Sequence, residues 1–434
     1  MKSAVVRWFA LGVGVLFATA VFGQRPEPYL SDHPAIDYVA RPTTDPIALL
    51  NRRIAEGQTQ LRFEPGLGYL RSLLATLNIP VESQQLVFSK TSLQADLIEQ
   101  SNPRALFFND NAYVGWVNGT DELEVATQDP QQGVIFYLLH QKQTDKPQFT
   151  RAQECVQCHL TENFTRGVPG TFVMSMLPLS DDPADYAQGW GSDHRTPIAD
   201  RFGGWYVTGQ RVAVRHMGNV PVYHAPKSFV RTVPPALTSV KGAFEDDSRF
   251  LSPYSDIAAL MVMHHQVQAT NLLTRLNWIS RIRDYGSSPP ATIPTRNISI
   301  KTDSDVQEAV VELVDYLLFV DEIPLTSKLE GSARFAETFK TVGPSDSKGR
   351  SFRELDLERR VLRYPCSYMI YTEAFDALPP RARNAVYERM WSILSGRESD
   401  PAYRRMALVD RQAIVEILRE TKKGLPDYFN GPIS

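Results

Sequence analysis

The run Arg151-Ala-Gln-Glu-Cys-Val-Gln-Cys-His-Leu160 sets two thiols and an imidazole at Cys155, Cys158 and His159. In a Cys-x-x-Cys-His run each thiol can form a thioether to a haem vinyl group. The imidazole that follows reaches the iron as proximal ligand, which makes the run a c-type haem signature. The chain has three Cys and eight His in 434 residues, so spacing and not abundance carries the signal. The same residues could instead form a Cys155–Cys158 disulfide or redox dithiol, or half of a zinc site. A zinc site lacks a second Cys-x-x-Cys or a His-x₃₋₅-His, and Cys366 lies far downstream. The expectation is one covalently bound haem c with His159 as a metal ligand, and Cys366 left as a lone buried thiol.

The sixth iron position decides the chemistry. A strong ligand there makes an electron carrier, whereas an open position makes a gas binder or a peroxidase. Candidates are Met174, Met176, His194, His216, Met217 and His265. Arg211–Met217 reads as a strand with Val212, Val214 and His216 on one face and Ala213, Arg215 and Met217 on the other. An imidazole on an apolar face can enter a haem pocket, so His216 is the first expected distal ligand, with Met217 and the Met174/Met176 pair next. Between Arg151 and Ala225 there are six Arg and no Lys. Arg offers planar, bidentate donors to carboxylates, so Arg195 and Arg211 are expected near the propionates. Trp205 is expected to pack on the porphyrin.

These residues need elements to hold them. Residues 151–225 are rich in glycine, which permits tight turns and close backbone approach to a flat cofactor. Before them, residues 67–150 read as a small α+β region. It has a helix over Tyr69–Leu77 and short strands over Gln85–Ser89, Ala105–Phe108, Ala112–Val117, Leu123–Thr127 and Gly133–Leu139, separated by turn residues. Residues 24–66 carry six prolines and read as an extended arm, with a short helix near Ile47–Ala55. A Pro-marked linker spans 226–250. Residues 251–434 form a helical region that opens on a long helix over Asp256–Arg283. In that helix Val262, His265, Ala269, Leu272, Leu276 and Ile279 make an apolar stripe, and His264, Gln268, Asn271 and Arg275 a polar one. Further helices are expected over Asp303–Val320, capped by Thr302 or Asp303, from Pro380 to Gly396, and from an Asp410 cap to Lys422. The Gly204–Gly209 and Arg211–Met217 runs alternate as a hairpin. The fold class is α+β: a β-containing N-terminal part, a haem segment and a helical C-terminal half.

Lys2 and Arg7 precede or open an apolar run from Trp8 to Phe22, followed by Gly23. The run is shorter than the ~20 residues of a membrane span and reads as a signal peptide over 1–23, with an uncleaved anchor as the alternative. The chain carries 46 Lys and Arg against 49 Asp and Glu. Its mildly acidic balance shows no basic stripe for nucleic acid.

The Cys155–His159 run occurs together with Gly167-Val-Pro-Gly170, Asp193-His-Arg-Thr-Pro197, Gly203-Gly-Trp-Tyr-Val-Thr-Gly209, Arg215-His-Met-Gly-Asn219, Arg363-Tyr-Pro-Cys-Ser-Tyr368 and Ala374-Phe-Asp-Ala-Leu-Pro379. This combination resembles a group of bacterial cytochrome c domain proteins. The resemblance implies haem binding and electron transfer, and carries the His-Met-Gly-Asn stretch over to His216 and Met217. The expected protein is an exported, periplasmic monohaem c-type cytochrome that passes single electrons to or from another periplasmic protein, with no membrane span after signal cleavage. The alternatives are a haem enzyme, peroxidase-like or another oxidoreductase, and a haem-based sensor with an open distal site.

Overall fold

The computed structural model describes residues 30–176, 189–220, 236–287 and 301–433. The expected signal peptide, residues 1–23, lies outside them. The architecture is α+β, with an antiparallel sheet in the N-terminal half and most helices in the C-terminal half.

Six strands, β1 (Gln85–Val87), β2 (Arg104–Phe108), β3 (Ala112–Trp116), β4 (Glu122–Asp129), β5 (Gly133–His140) and β6 (Phe149–Arg151), form a meander in chain order. The sequence reading places the first five; β6 is the additional edge that leads into the Cys-x-x-Cys-His run. The β4–β5 pair runs in register from Glu122↔His140 to Asp129↔Gly133. Its turn is fixed by Asp129, whose Oδ1 accepts the N–H groups of Gln131 (2.9 Å) and Gln132 (2.8 Å). One face of the sheet (Phe107, Val114, Trp116, Leu123, Val125, Ile135, Tyr137, Leu139) is buried against α1 (Pro46–Ala55) and α2 (Leu70–Thr76). The other face carries Arg104, Glu124, Ala126, Phe136 and Leu138. A one-residue slip would exchange the faces and bury Arg104 and Glu124 in apolar core, at several kcal/mol for each ion.

The arm is tied down by one carboxylate. Asp45 caps α1 by accepting from Ile47 N (3.0 Å) and Ala48 N (3.1 Å), with Pro46 in the first turn. It also accepts from Thr127 Oγ1 (2.6 Å) and Tyr137 Oη (2.8 Å) on the sheet.

Two short helices, α3 (Val156–His159) and α4 (Glu162–Thr165), follow the sheet, and then a hairpin of β7 (Met174–Met176) and β8 (Gly189–Gly191). The expected Gly204–Met217 hairpin is not formed. Only β9 (Arg211–Val212) is a strand, and it pairs with β10 (Leu329–Glu330) from the C-terminal half. The backbone before it is held elsewhere: Val207 N–H and C=O bond to the side chain of Asn219, and Thr208 N donates to Ser255 O (2.8 Å).

The long helix α5 (Ile257–Ser287) is buried on nearly every side. Its apolar stripe packs with α6 (Asp303–Leu317), α7 (Ala333–Thr341), α8 (Glu373–Asp376), α9 (Pro380–Leu394) and α10 (Leu408–Thr421) in the larger core. Trp278 and Ile282 join the core under the sheet. The polar stripe is covered as well. Asn271 Nδ2 donates to Thr171 O (2.9 Å), and Arg275 Nη1 to Glu162 Oε1 (2.9 Å) and Arg166 O (3.0 Å). Asn271 and Arg275 are accommodated on this face because they satisfy backbone carbonyls of the loop-rich segment laid over it.

Thr302 and Asp305 form a capping box at the start of α6. Helix α10 begins earlier than expected, after Ala407, and Asp410 instead meets Arg360 with both oxygens at 3.0 Å. Residues 236–250, expected as part of a linker, bury Val240, Phe244 and Phe250 in the core under the sheet.

Candidate functional site

Strand β6 delivers the chain to a single helical turn that carries Cys155, Cys158 and His159. Positions i, i+3 and i+4 of a helix lie on one side, so the three groups share an approach. The entry is anchored by Arg151, whose guanidinium lies 4.6 Å from the Tyr38 ring centre and donates to Val39 O (3.2 Å). Ala152 N also bonds to Phe136 O (2.9 Å). Cys155 and Val156 rest on Ala126, Val134 and Phe136 of the outward sheet face.

Both thiols are free, with Cys158 exposed and Cys155 half-buried. Burial pushes the Cys155 thiol up to about 11, with Glu124 and Glu154 reinforcing and Arg104 opposing the shift. A redox dithiol needs a thiol that ionises easily, and this environment does the reverse. Among the described residues no group of three or more His, Cys, Asp or Glu is arranged to hold a metal ion, so no tetrahedral zinc set is assembled there. Cys366 is a free, buried thiol, as expected.

His159 is held by its own neighbourhood. Nδ1 lies 2.9 Å from Gly170 O, and Gly170 N returns a bond to His159 O at 2.9 Å. A carbonyl only accepts, so the ring proton sits on Nδ1 and the lone pair on Nε2. The ring lies between Phe136 (centroids 4.9 Å) and Phe172 (5.0 Å), and Phe164 stacks on Phe172 at 4.9 Å. Burial lowers the His159 pKa, with the Gly170 carbonyl opposing, so the imidazole is neutral near neutral pH. Gly170 is needed here because a Cβ would lie 2.0 Å from Asn271 Oδ1.

Beneath the turn, Arg104 and Glu124 form an ion pair on the outward sheet face. Glu124 also accepts from Ser92 Oγ (2.7 Å). Arg104 lies across Gly115, where a Cβ would fall 2.5 Å from Nη2. None of Arg104, Glu124, Phe136 and Phe172 was picked out as a site residue from the sequence. The available signal was strand alternation, which puts Arg104, Glu124, Ala126 and Phe136 on one face.

The other expected site residues go elsewhere. Arg195 is committed to Asp193 (Nη2–Oδ2 2.6 Å) and the Tyr316 ring. Arg211 is exposed on β9. Trp205 is buried and donates Nε1–H to Met174 O (2.8 Å). His216 is buried, its Nδ1 accepts Gly218 N–H (3.0 Å), and burial lowers its pKa to about 4. An accepting Nδ1 puts the proton on Nε2, and a protonated ring nitrogen has no lone pair for iron. Met217 is buried with its sulfur 3.7 Å from Ser175 Oγ, which donates to it. His194 and His265 face each other (Nδ1–Nδ1 2.9 Å), with His265 Nε2 2.6 Å from Ser367 Oγ. That pair is fully buried, stacked on Tyr316 and Phe319.

The chain matches no family model, no curated protein and no solved structure.

Proposed function

We propose that the protein is an exported c-type cytochrome that carries one covalent haem at Cys155 and Cys158 and transfers single electrons. The observation that carries this reading is the hydrogen bond from His159 Nδ1 to Gly170 O. It fixes the tautomer with a free Nε2 and orients the ring through a second partner, as metal-bound histidines require. The site fits the group in three further respects: two free thiols on the same turn, a neutral imidazole, and aromatic rings on either side of it.

Cys155 and Cys158 would hold the group through two thioether bonds, each made by adding S–H across a vinyl double bond, which would need no oxidant. Bound haem supplies a one-electron ferric–ferrous couple. The chain's own part is to hold His159, to shield its ring with Phe136 and Phe172, and to keep a balanced charge pair, Arg104–Glu124, under the attachment turn. Export is supported by the Lys2–Gly23 pattern, because such haem attachment takes place outside the inner membrane in the proteins the motif resembles. Among the described residues no helix is long and apolar enough to cross a membrane. A periplasmic redox protein is the partner this reading implies.

The test is expression with a signal peptide and cytochrome maturation machinery, followed by a pyridine haemochrome assay on denatured protein. One covalent haem per chain is expected, lost in Cys155→Ala/Cys158→Ala. A protein that stays colourless in a host that matures a control cytochrome would sink the proposal.

A further inference from the structure

A cavity of about 280 Å³ opens between α1, the end of α2, the Asn111 and Gln128 end of the sheet, and α8 of the helical half. It shares no residue with the surroundings of His159. Its wall is drawn from four separate stretches of chain, 44–53, 76–78, 111–130 and 373–374. Only the folded protein assembles it.

The wall divides by chemistry. Leu49, Leu50, Pro130 and Ala374 supply an apolar part, and Arg53 and Glu373 bring one charge of each sign. Helix α1 turns Ile47, Leu50 and Ile54 into the core, which leaves Leu49 45% exposed. Among the described residues Arg53 makes one side-chain hydrogen bond, Nη2 to Thr59 Oγ1 (2.6 Å), and neither Arg53 nor Glu373 forms an ion pair. Gln128, also of this wall, is buried. Its Nε2 donates to Asp129 O (3.2 Å) and Thr274 Oγ1 (3.3 Å), and its Oε1 has no hydrogen-bond partner among the described residues.

Two opposite charges held apart across one small cavity suit a ligand that carries both. A sphere of this volume is about 8 Å across, and pockets for drug-sized ligands start at roughly 300 Å³. The occupant is therefore small. A guanidinium takes a carboxylate through two parallel bonds, a carboxylate takes an ammonium, and an apolar wall takes a short aliphatic group.

We propose that this cavity binds a free α-amino acid with a short branched apolar side chain. Its carboxylate lies on Arg53, its ammonium on Glu373, and its side chain against Leu49 and Leu50. Because the wall joins the arm to the helical half, occupancy stabilises the fold by mass action. The assignment is independent of the haem reading.

The experiment is titration calorimetry and thermal unfolding of the full exported chain with L-valine. Isobutylamine and isovalerate present the same skeleton without the carboxylate or without the ammonium. L-Valine should bind saturably, with a Kd of ~1 mM or tighter, and raise the unfolding midpoint. Each analogue should bind at least about tenfold more weakly, and Arg53→Gln and Glu373→Gln should each weaken L-valine by about tenfold or more, as loss of a charge-assisted contact does. Both side chains are exposed, so the ligand-free variants should unfold at the native midpoint, which separates lost recognition from lost fold. Absence of saturable binding by L-valine, L-leucine and L-alanine would overturn the assignment. So would an analogue that binds as tightly as L-valine, or an L-valine affinity unchanged in either variant.

Discussion

His159 and Gly170 exchange two hydrogen bonds, Nδ1 with carbonyl and carbonyl with amide N–H, both at 2.9 Å. The imidazole is thereby fixed by backbone groups eleven residues away, whose own place is set by Asn271 on α5. Orientation of the candidate ligand depends on a glycine that has no room for a side chain.

Gly170→Ala should therefore loosen the site. The added carbon meets Asn271 Oδ1, and overpacking of this kind costs about 1–3 kcal/mol. Thermal unfolding should report a lowered midpoint together with incomplete haem loading. Gly170→Ala/Asn271→Ala should recover part of both, and a double variant no better than the single one would refute the steric account.

Cys155 should react slowly as a free thiol. In protein made without haem maturation, its alkylation at neutral pH should be slow and should accelerate toward about pH 11. Glu124→Gln removes a charge that holds the thiol protonated and should speed the reaction at fixed pH. Mass-spectrometric mapping of the labelled peptide reads both effects, and rapid labelling of Cys155 at pH 7 would contradict them.

Acid should destabilise the fold through its buried histidines. His265 is held at about 3 and His216 at about 4, both chiefly by burial, and His194 and His264 lie well below the usual value for the same reason. With folded values below the unfolded one, their stabilisation is complete above about pH 6.5 and is lost as pH falls, by about 1.4 kcal/mol per pH unit for each group. Urea midpoints between about pH 7 and pH 5 should fall accordingly. His264→Leu should flatten that slope by about one proton.

The same residue yields a second contrast. Among the described residues neither buried ring nitrogen of His264 has a hydrogen-bond partner, whereas His265 bonds to His194 and Ser367. Replacing an unsatisfied buried polar group by an apolar one of similar shape is neutral or stabilising. His264→Leu should thus leave the unfolding free energy at pH 7.5 unchanged or raised, while His265→Leu should lower it by about 1–3 kcal/mol through the orphaned His194 and Ser367.

Asp45→Ala removes a helix cap and leaves the buried Thr127 and Tyr137 hydroxyls without their acceptor. A cost of about 3 kcal/mol follows from the cap and the two hydroxyls. A change below 1 kcal/mol in chemical denaturation would show that the arm does not depend on this carboxylate.

The sheet and the principal helices were legible because their information is local. Alternation along Leu123–Thr127 and Gly133–Leu139, and the 3.6-residue period of residues 256–283, are set by side chains a few positions apart. The Cys-x-x-Cys-His turn was legible for the same reason. The surroundings of His159 were not, because Phe136 comes from β5 and Asn271 from α5, and no period links them to residue 159. His216 shows a different obstacle: its type and burial suit a ligand, but the backbone N–H of Gly218 decides which ring nitrogen carries the proton. The polar stripe of α5 was visible, yet its use as a bed for the segment after Cys158 depends on loop carbonyls that a helical period does not reveal.

The seam between Thr171 and Asn271 joins positions one hundred residues apart, whereas each strand of the meander pairs with its neighbour in the chain. As the polypeptide emerges N-terminus first, the sheet can close while the stretch after His159 still has nothing to lie on. During that interval the turn carrying Cys155 and Cys158 has an open flank, and the core under the sheet still lacks Trp278 and Ile282. Arrival of α5 closes that flank, so the segment after His159 is among the last parts of the N-terminal half to find its place.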